Sequence, residues 1–324
     1  MDKAERMLAI VACLGAILAA SPGLTQSYPD RPIKIVAPFP AGGLVDVLAR
    51  ALGDEMAKSL HQPVIIENRP GAGGNVGAEF VARSLPDGYT LLMTSPGIQS
   101  INQFLYKSMP FDPDKAFAPM SMVADMSMVV VVHPKTGITS LGQLIDLAHA
   151  HPQKLNFGSA GVGTTGHLGL ELLMHAGDMR LTHVPYKGAA PSITDLIGGQ
   201  IDGVVDNPPT VLAHIRSGAI TALAVAGPQR LAALPDIPTA TEAGLPAWQA
   251  SSWFGLVAPA GTPPAVLDRL HAEVERALHA QRVATLRERG MDIVGNTPQA
   301  FAALIAAERR KWGDIIKSAN ITAQ

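Results

Sequence analysis

One cysteine stands in 324 residues, and it is Cys13, inside the first apolar run of the chain. Everything downstream is closed to disulfides, thiol catalysis and cysteine–zinc sites. Aromatic residues make up only 5%, too few for the stacked platforms that hold single strands. Charge of either sign is scarce. Lys+Arg 25 and Asp+Glu 27 leave a net −2, so duplex phosphates find no basic face and nucleic acid is not an expected partner. With 16% charged and 47% hydrophobic residues, the composition also excludes an intrinsically disordered chain.

Glycine and proline are plentiful, at 31 and 26 residues. That content implies many tight loops between short elements, and the length implies two domains. The first 27 residues read as a signal peptide. Lys3 and Arg6 precede an apolar run from Met7 to Ala20, which is too short to span a bilayer. Small residues at Thr25 and Ser27 favour cleavage before Tyr28, with cleavage after Ser21 as the alternative. No later stretch reaches transmembrane length, so an exported, periplasmic protein is expected.

Downstream, β-branched runs alternate with helical periodicity. Strands are expected at Ile33–Pro38, Val64–Glu67, Thr90–Thr94, Val129–Val132, Leu155–Gly158, Thr182–Tyr186, Val204–Asp206 and Ile220–Ala226. Helices fall between them, with two more at Pro264–Ala280 and Pro298–Ser318. This alternation predicts an α/β fold with mixed, mostly parallel sheets. The strand–loop–helix unit occurs in both halves. Two lobes are therefore expected, 28–125 plus 226–324 and 126–225, with strands near 126–132 and 220–226 crossing between them. A ligand would sit beyond the carboxyl ends of the strands.

Three glycine-rich loops each precede a helix: Phe39-Pro40-Ala41-Gly42-Gly43, Pro70 to Asn75, and Gly158 to Gly166. A helix start offers unpaired N–H groups and partial positive charge, and glycine lets a ligand approach. Only Arg69, beside the second loop, is a cation. Either these loops form an anion site without fixed cationic side chains, suited to a carboxylate, or the glycines serve turns and helix entry alone. Asp46 is either a ligand contact or a first-turn acid matching the helix dipole. Asp206 ends a strand that faces the same cleft.

Other chemistries fail on context. Gly161-Val162-Gly163-Thr164-Thr165-Gly166 has dinucleotide-fingerprint spacing, but Val184-Pro185-Tyr186-Lys187 stands where the ribose-binding acid belongs. Ser159 lacks the glycine two residues before it that a nucleophile elbow requires. The ten histidines do not cluster in sequence, and His167 with Glu171 is too little for a metal site. No metal, cofactor or catalytic residue is expected. Trp248, Trp253 and Trp312 read as packing residues.

Eight motifs then occur in order: Tyr28-Pro29-Asp30-Arg31-Pro32-Ile33, the 39–43 loop, Glu67 to Gly74, Pro86 to Leu92, Gly158 to Thr164, Val184 to Gly188, Pro235 to Thr239, and Trp253 to Pro259. Through them the chain resembles the Bug-type receptors of tripartite tricarboxylate transporters, over essentially its whole length after the signal peptide. The resemblance implies a two-lobed periplasmic binding protein, a type II-like Venus flytrap. Such a protein is a monomeric receptor that delivers a small carboxylate to integral-membrane permease subunits; the alternatives are a sensing co-receptor of the same fold and an exported hydrolase. It implies ligand binding by Phe39, Ala41, Gly42, Gly43 and Asp46 from one lobe and by Ser159, Gly161, Gly163, Thr164 and Thr165 from the other. Ser95 and Asp206 would read the far end of the ligand. Leu44-Val45-Asp46 departs from the family pattern, which has a small polar residue or proline, then Thr, then Asp. The lost hydroxyl implies a more apolar ligand, such as an aromatic or aliphatic acid.

Overall fold

The structure is a computed structural model that describes residues 28–322. The expected signal peptide, Cys13 included, lies outside the described residues. Arg31 begins the unit described below.

The elements follow the hydrophobic runs. β1 (Ile33–Ala37), α1 (Leu44–Leu60), β2 (Val64–Asn68), α2 (Asn75–Ala82) and β3 (Thr90–Thr94) come first. A π turn at Gly97–Ile101 and one helical turn at Asn102–Leu105 lead to β4 (Phe117–Asp125) and β5 (Val129–Val132). Then come α3 (Leu141–Ala150), β6 (Asn156–Ser159), α4 (Thr165–Ala176) and β7 (Thr182–Pro185). They are followed by α5 (Ala189–Ile197), β8 (Gly203–Asp206), α6 (Pro208–Arg216) and β9 (Thr221–Val225). The described order ends with β10 (Phe254–Pro259), α7 (Pro264–Leu278), β11 (Asp292–Ile293) and α8 (Pro298–Ser318).

Two mixed sheets result, ordered β11-β4-β10-β3-β1-β2 and β7-β6-β8-β5-β9. They share one plan. A parallel trio, β2-β1-β3 or β7-β6-β8, comes from strand–helix–strand units. An antiparallel pair, β10-β4 or β5-β9, extends each trio on the same side. β4 and β10 are not among the strands expected from the sequence. β4 carries Pro119 and alternates only loosely, whereas β10 is buried throughout.

The two sheets are joined by two segments that run antiparallel to each other. Met126 N–H donates to the Ser252 carbonyl (3.1 Å), Ser252 N–H donates to that of Met126 (3.0 Å), and Met128 N–H donates to Ala250 (3.0 Å). The second crossing therefore lies at 250–253 and not at the expected 220–226. β9 ends inside the second sheet, and Ala226 N–H still donates to the Met128 carbonyl (2.8 Å). The chain stays with that sheet until Trp248, which is fully buried in its core and donates Nε1–H to the Gly169 carbonyl (3.1 Å).

Helix α8 serves both cores. Phe301, near its start, meets Trp253 edge-on (5.3 Å between centroids, 86°) in the core of the first sheet. Trp312, near its end, packs in the core of the second. All three tryptophans are buried packing residues, as the sequence implied. No helix among the described residues is long and apolar enough to cross a membrane.

Candidate functional site

The loop between β1 and α1 is braced from behind. Gly42 takes a positive φ of 79°, the left-handed region that glycine occupies without steric cost. Its N–H donates to Asp46 Oδ2 (2.9 Å), and Arg50 Nε donates to the same oxygen (3.0 Å). Asn68 Nδ2 donates to Asp46 Oδ1 (3.0 Å) and to the Phe39 carbonyl (3.1 Å). The bound Arg50 side chain holds the Asp46 carboxyl below its usual range. Asp46 is thus a buried brace whose two oxygens are both engaged. The start of α1 stays open: Gly43 has no side chain, and no side chain caps the first turn.

The loop between β6 and α4 is built differently. Thr164 caps α4 by accepting from His167 N–H, and its hydroxyl donates to the Gly161 carbonyl (2.7 Å). Gly163 N–H donates to His167 Nδ1 (3.1 Å), which puts the ring proton on Nε2, 3.3 Å from Glu171 Oε1. Ser159 Oγ is 2.7 Å from His183 Nε2 and accepts from Gly161 N–H (3.2 Å). His183 stacks on His167. Burial, then the neighbouring His167, depresses the His183 pKa to about 4, with Glu171 opposing. Histidines scattered in sequence are therefore joined in space. Among the described residues no group of three or more His, Cys, Asp and Glu could hold a metal.

The two loops open on one cavity of about 480 Å³. Of the expected residues, Phe39, Ser95, Gly163, Thr164 and Thr165 line it. Ala41, Gly42, Gly43, Asp46, Ser159 and Gly161 do not line it; Asp46 braces the first loop, and Ser159 and Gly161 bond within the second. Asp206 is one residue away, and its neighbour Asn207 does the lining. Burial pushes the Asp206 carboxyl up to about 6, against hydrogen bonds from Asn207 N–H and the Thr210 side chain.

Sequence reasoning did not find the rest of the wall. Leu44, Ile101, Leu105, Tyr106, Met126 and Phe254 give it an apolar character, and among the described residues no Lys, Arg or His lines it. Of these, only Leu44 carried a signal, as a departure from the family pattern. The 70–75 loop contributes Gly73 alone. Its Gly74 and Val76 N–H groups turn back to the Gly71 carbonyl, and Asn102 Nδ2 donates to Gly73 O (3.2 Å) and Asn75 Oδ1 (2.8 Å). A larger open groove, about 730 Å³, lies beside β1 and α2. Its cations are paired, Arg31 with Asp87, Lys34 with Glu67 and Arg83 with Glu79, so it offers no free charge.

A family model described as "Tripartite tricarboxylate transporter family receptor" matches residues 48–321. Protein BugT of Bordetella pertussis is 36% identical over 317 residues, covering 96% of this chain and 97% of that protein. Two solved structures share 34% identity. R. palustris Rpa4515 with adipate has a TM-score of 0.78 over 91% of this chain and 100% of that one. MatC from Rhodopseudomonas palustris with bound malate has a TM-score of 0.73 over 89% and 100%.

Proposed function

The chain belongs to the tripartite tricarboxylate transporter receptor family, and we propose that it captures a small carboxylate with an apolar body and hands it to the membrane permease subunits of such a transporter. It is a solute receptor and not an enzyme. The observation that carries the ligand reading is the uncapped start of α1 opening on an apolar cavity that no cation among the described residues lines. A carboxylate there would accept from main-chain N–H groups. Each hydrogen bond to a charged group contributes about 1.5–3 kcal/mol, so a few suffice for micromolar binding after ordering costs.

Phe39, Ser95, Gly163, Thr164 and Thr165 are proposed as contacts, joined by Leu44 and Val45. Ala41, Gly42, Gly43, Asp46, Ser159, Gly161 and Asp206 are proposed to shape and position them. The paired crossing segments suit a hinge, with the ligand favouring closure. Adipate and malate in the two R. palustris structures support a carboxylate; Leu44 and its neighbours favour a more apolar one. Export with cleavage before Tyr28 and action as a monomer complete the reading, and mass and light-scattering measurements on the secreted protein check both. The direct test is a thermal-shift panel of aromatic, aliphatic and hydroxylated acids with amines and sugars as controls. An acid at 100 times its Kd should add about 2.7 kcal/mol of stability. Stabilisation only by cationic or neutral solutes would defeat the reading.

A further inference from the structure

The wall that Ile101, Leu105 and Tyr106 give the cavity hangs on an unusual piece of backbone. The segment that leads into it, Gly97–Ile101, is a π turn, a rare conformation that occurs most often at functional sites. Its place sets the width of the cavity. A Cβ on Gly163 would stand 2.7 Å from Leu105 Cδ1, so this wall already meets the loop between β6 and α4. Any shift of the π turn moves that contact. Three side chains hold the turn. Gln99 Nε2 donates to Thr94 Oγ1 (3.0 Å), and Ser100 Oγ donates to the Ile305 carbonyl (3.3 Å). The third is Arg309 on α8, whose Nε (3.3 Å) and Nη2 (3.0 Å) both donate to the Gln99 carbonyl. Its Nη1 pairs with Asp114, which steadies the guanidinium. The Arg309 side chain is only 18% exposed, so water competes little with this fork, and bonds from an ionised donor are the strong ones. Helix α8 is a firm support, because Phe301 and Trp312 fix it in both cores. Arg309 itself does not line the cavity.

Resting on the reading of this cavity as the ligand site, we propose that Arg309 is a positioning residue for ligand selectivity: it fixes the π turn, and through it the apolar wall against which the body of the acid packs. The carboxylate is held at the start of α1, so the two ends of the ligand answer to different parts of the protein. Without the fork the Gln99 carbonyl loses both charged donors and the turn is free to shift. Leu105 and Tyr106 then no longer close on the far carbons of the ligand. The receptor loses its discrimination by the length of the acid's body, which is a different loss from a uniform weakening of every acid.

The test is calorimetric titration of two matched pairs, butanoate with hexanoate and benzoate with 4-ethylbenzoate. Each further buried carbon is worth about fourfold in affinity, so in the pair that fits the cavity the longer acid should bind wild type at least about tenfold tighter. In Arg309→Met, which keeps the apolar stem and removes the fork, that ratio should fall below about threefold. Arg309→Lys keeps the charge but cannot fork, and its ratio should fall at least about twofold; it decides the matter if Arg309→Met does not fold. The readout is the ratio, because a role in stability alone would weaken both members of a pair equally. A ratio unchanged in the variants, or a wild type that binds short and long members equally, overturns the role of Arg309 and leaves the carboxylate reading standing. Failure of every acid to bind wild type overturns both.

Discussion

Ser159 and His183 meet beneath the 159–165 loop, hydroxyl oxygen to ring Nε2 at 2.7 Å. The His183 ring lies flat on His167, with 3.9 Å between centroids and 14° between planes. His167 in turn holds the Gly163 N–H. One imidazole pair, set on β7 and α4, thus underpins a loop that borders the cavity. The carboxylate beside the pair, Glu171, lies against His167, and among the described residues no carboxylate is hydrogen-bonded to His183, the ring that meets Ser159.

The first prediction concerns pH. His183 titrates near 4 in the folded chain and near 6.5 when unfolded. The unfolded state binds the extra proton between those values, so this ring's contribution to stability is present above 6.5 and lost as pH falls towards 4. Allowing for solvent screening at a partly exposed ring, the loss is about 2 kcal/mol. Asp206, raised to about 6, acts in the opposite sense: its contribution is full below the unfolded value of 3.8 and is lost as pH rises through 6. Wild type must therefore be compared with His183→Asn by denaturant unfolding at pH 7 and pH 4. Wild type should lose about 2 kcal/mol more than the variant. Equal losses would refute the assignment.

Asp46 tests the brace. Asp46→Ala removes the acceptor for Gly42 N–H, Arg50 and Asn68 at once. Hydrogen bonds to a charged group are the strong ones, so the expected cost is about 2 kcal/mol in chemical denaturation. Carboxylate affinity should fall with it, because the open helix start is no longer held. A variant as stable as wild type that also binds as tightly would contradict the brace.

Gly163 tests contact across the cleft. Its φ is 77°, and a Cβ there would stand 2.7 Å from Leu105 Cδ1, on the helical turn that follows β3. Gly163→Ala adds backbone strain of about 1–2 kcal/mol and a clash that exists only where the loop meets Leu105. Ligand affinity should drop roughly tenfold, and Leu105→Ala should recover part of it, with a coupling of about 1 kcal/mol in a double-mutant cycle. Strict additivity of the two substitutions would remove the contact from the account of closure.

The strand–helix alternation was legible because β1, β2, β5 and β9 are apolar or β-branched runs bounded by glycine, proline or polar turns. The loops at 39–43 and 159–165 were legible as glycine stretches before a helical pattern, a signal that the 70–75 loop shares although only its Gly73 reaches the cavity. β10 escaped because a strand buried on both faces loses the alternation that marks it, and β4 because Pro119 interrupts it and its alternation is loose. The crossing at 250–253 escaped because its cause, the docking of Trp248 against Gly169, spans 79 residues of sequence. Leu105 with Tyr106, Asn207 and Ser252 came to the cavity from three separate segments, and no local pattern distinguishes such residues from ordinary packing or surface positions.

The central claim is that main-chain N–H groups at the start of α1, and not a side-chain cation, hold the ligand. Proline at a first helical position keeps the helix and deletes one N–H. Leu44 holds that position, and the extended Gly43 before it (ψ 170°) accommodates a following proline. The decisive measurement is the carboxylate Kd of Leu44→Pro against Leu44→Ala, which controls for the lost side chain. Leu44→Pro should bind at least about tenfold more weakly at an unchanged melting temperature. Equal affinities in the two variants would contradict the main-chain clamp.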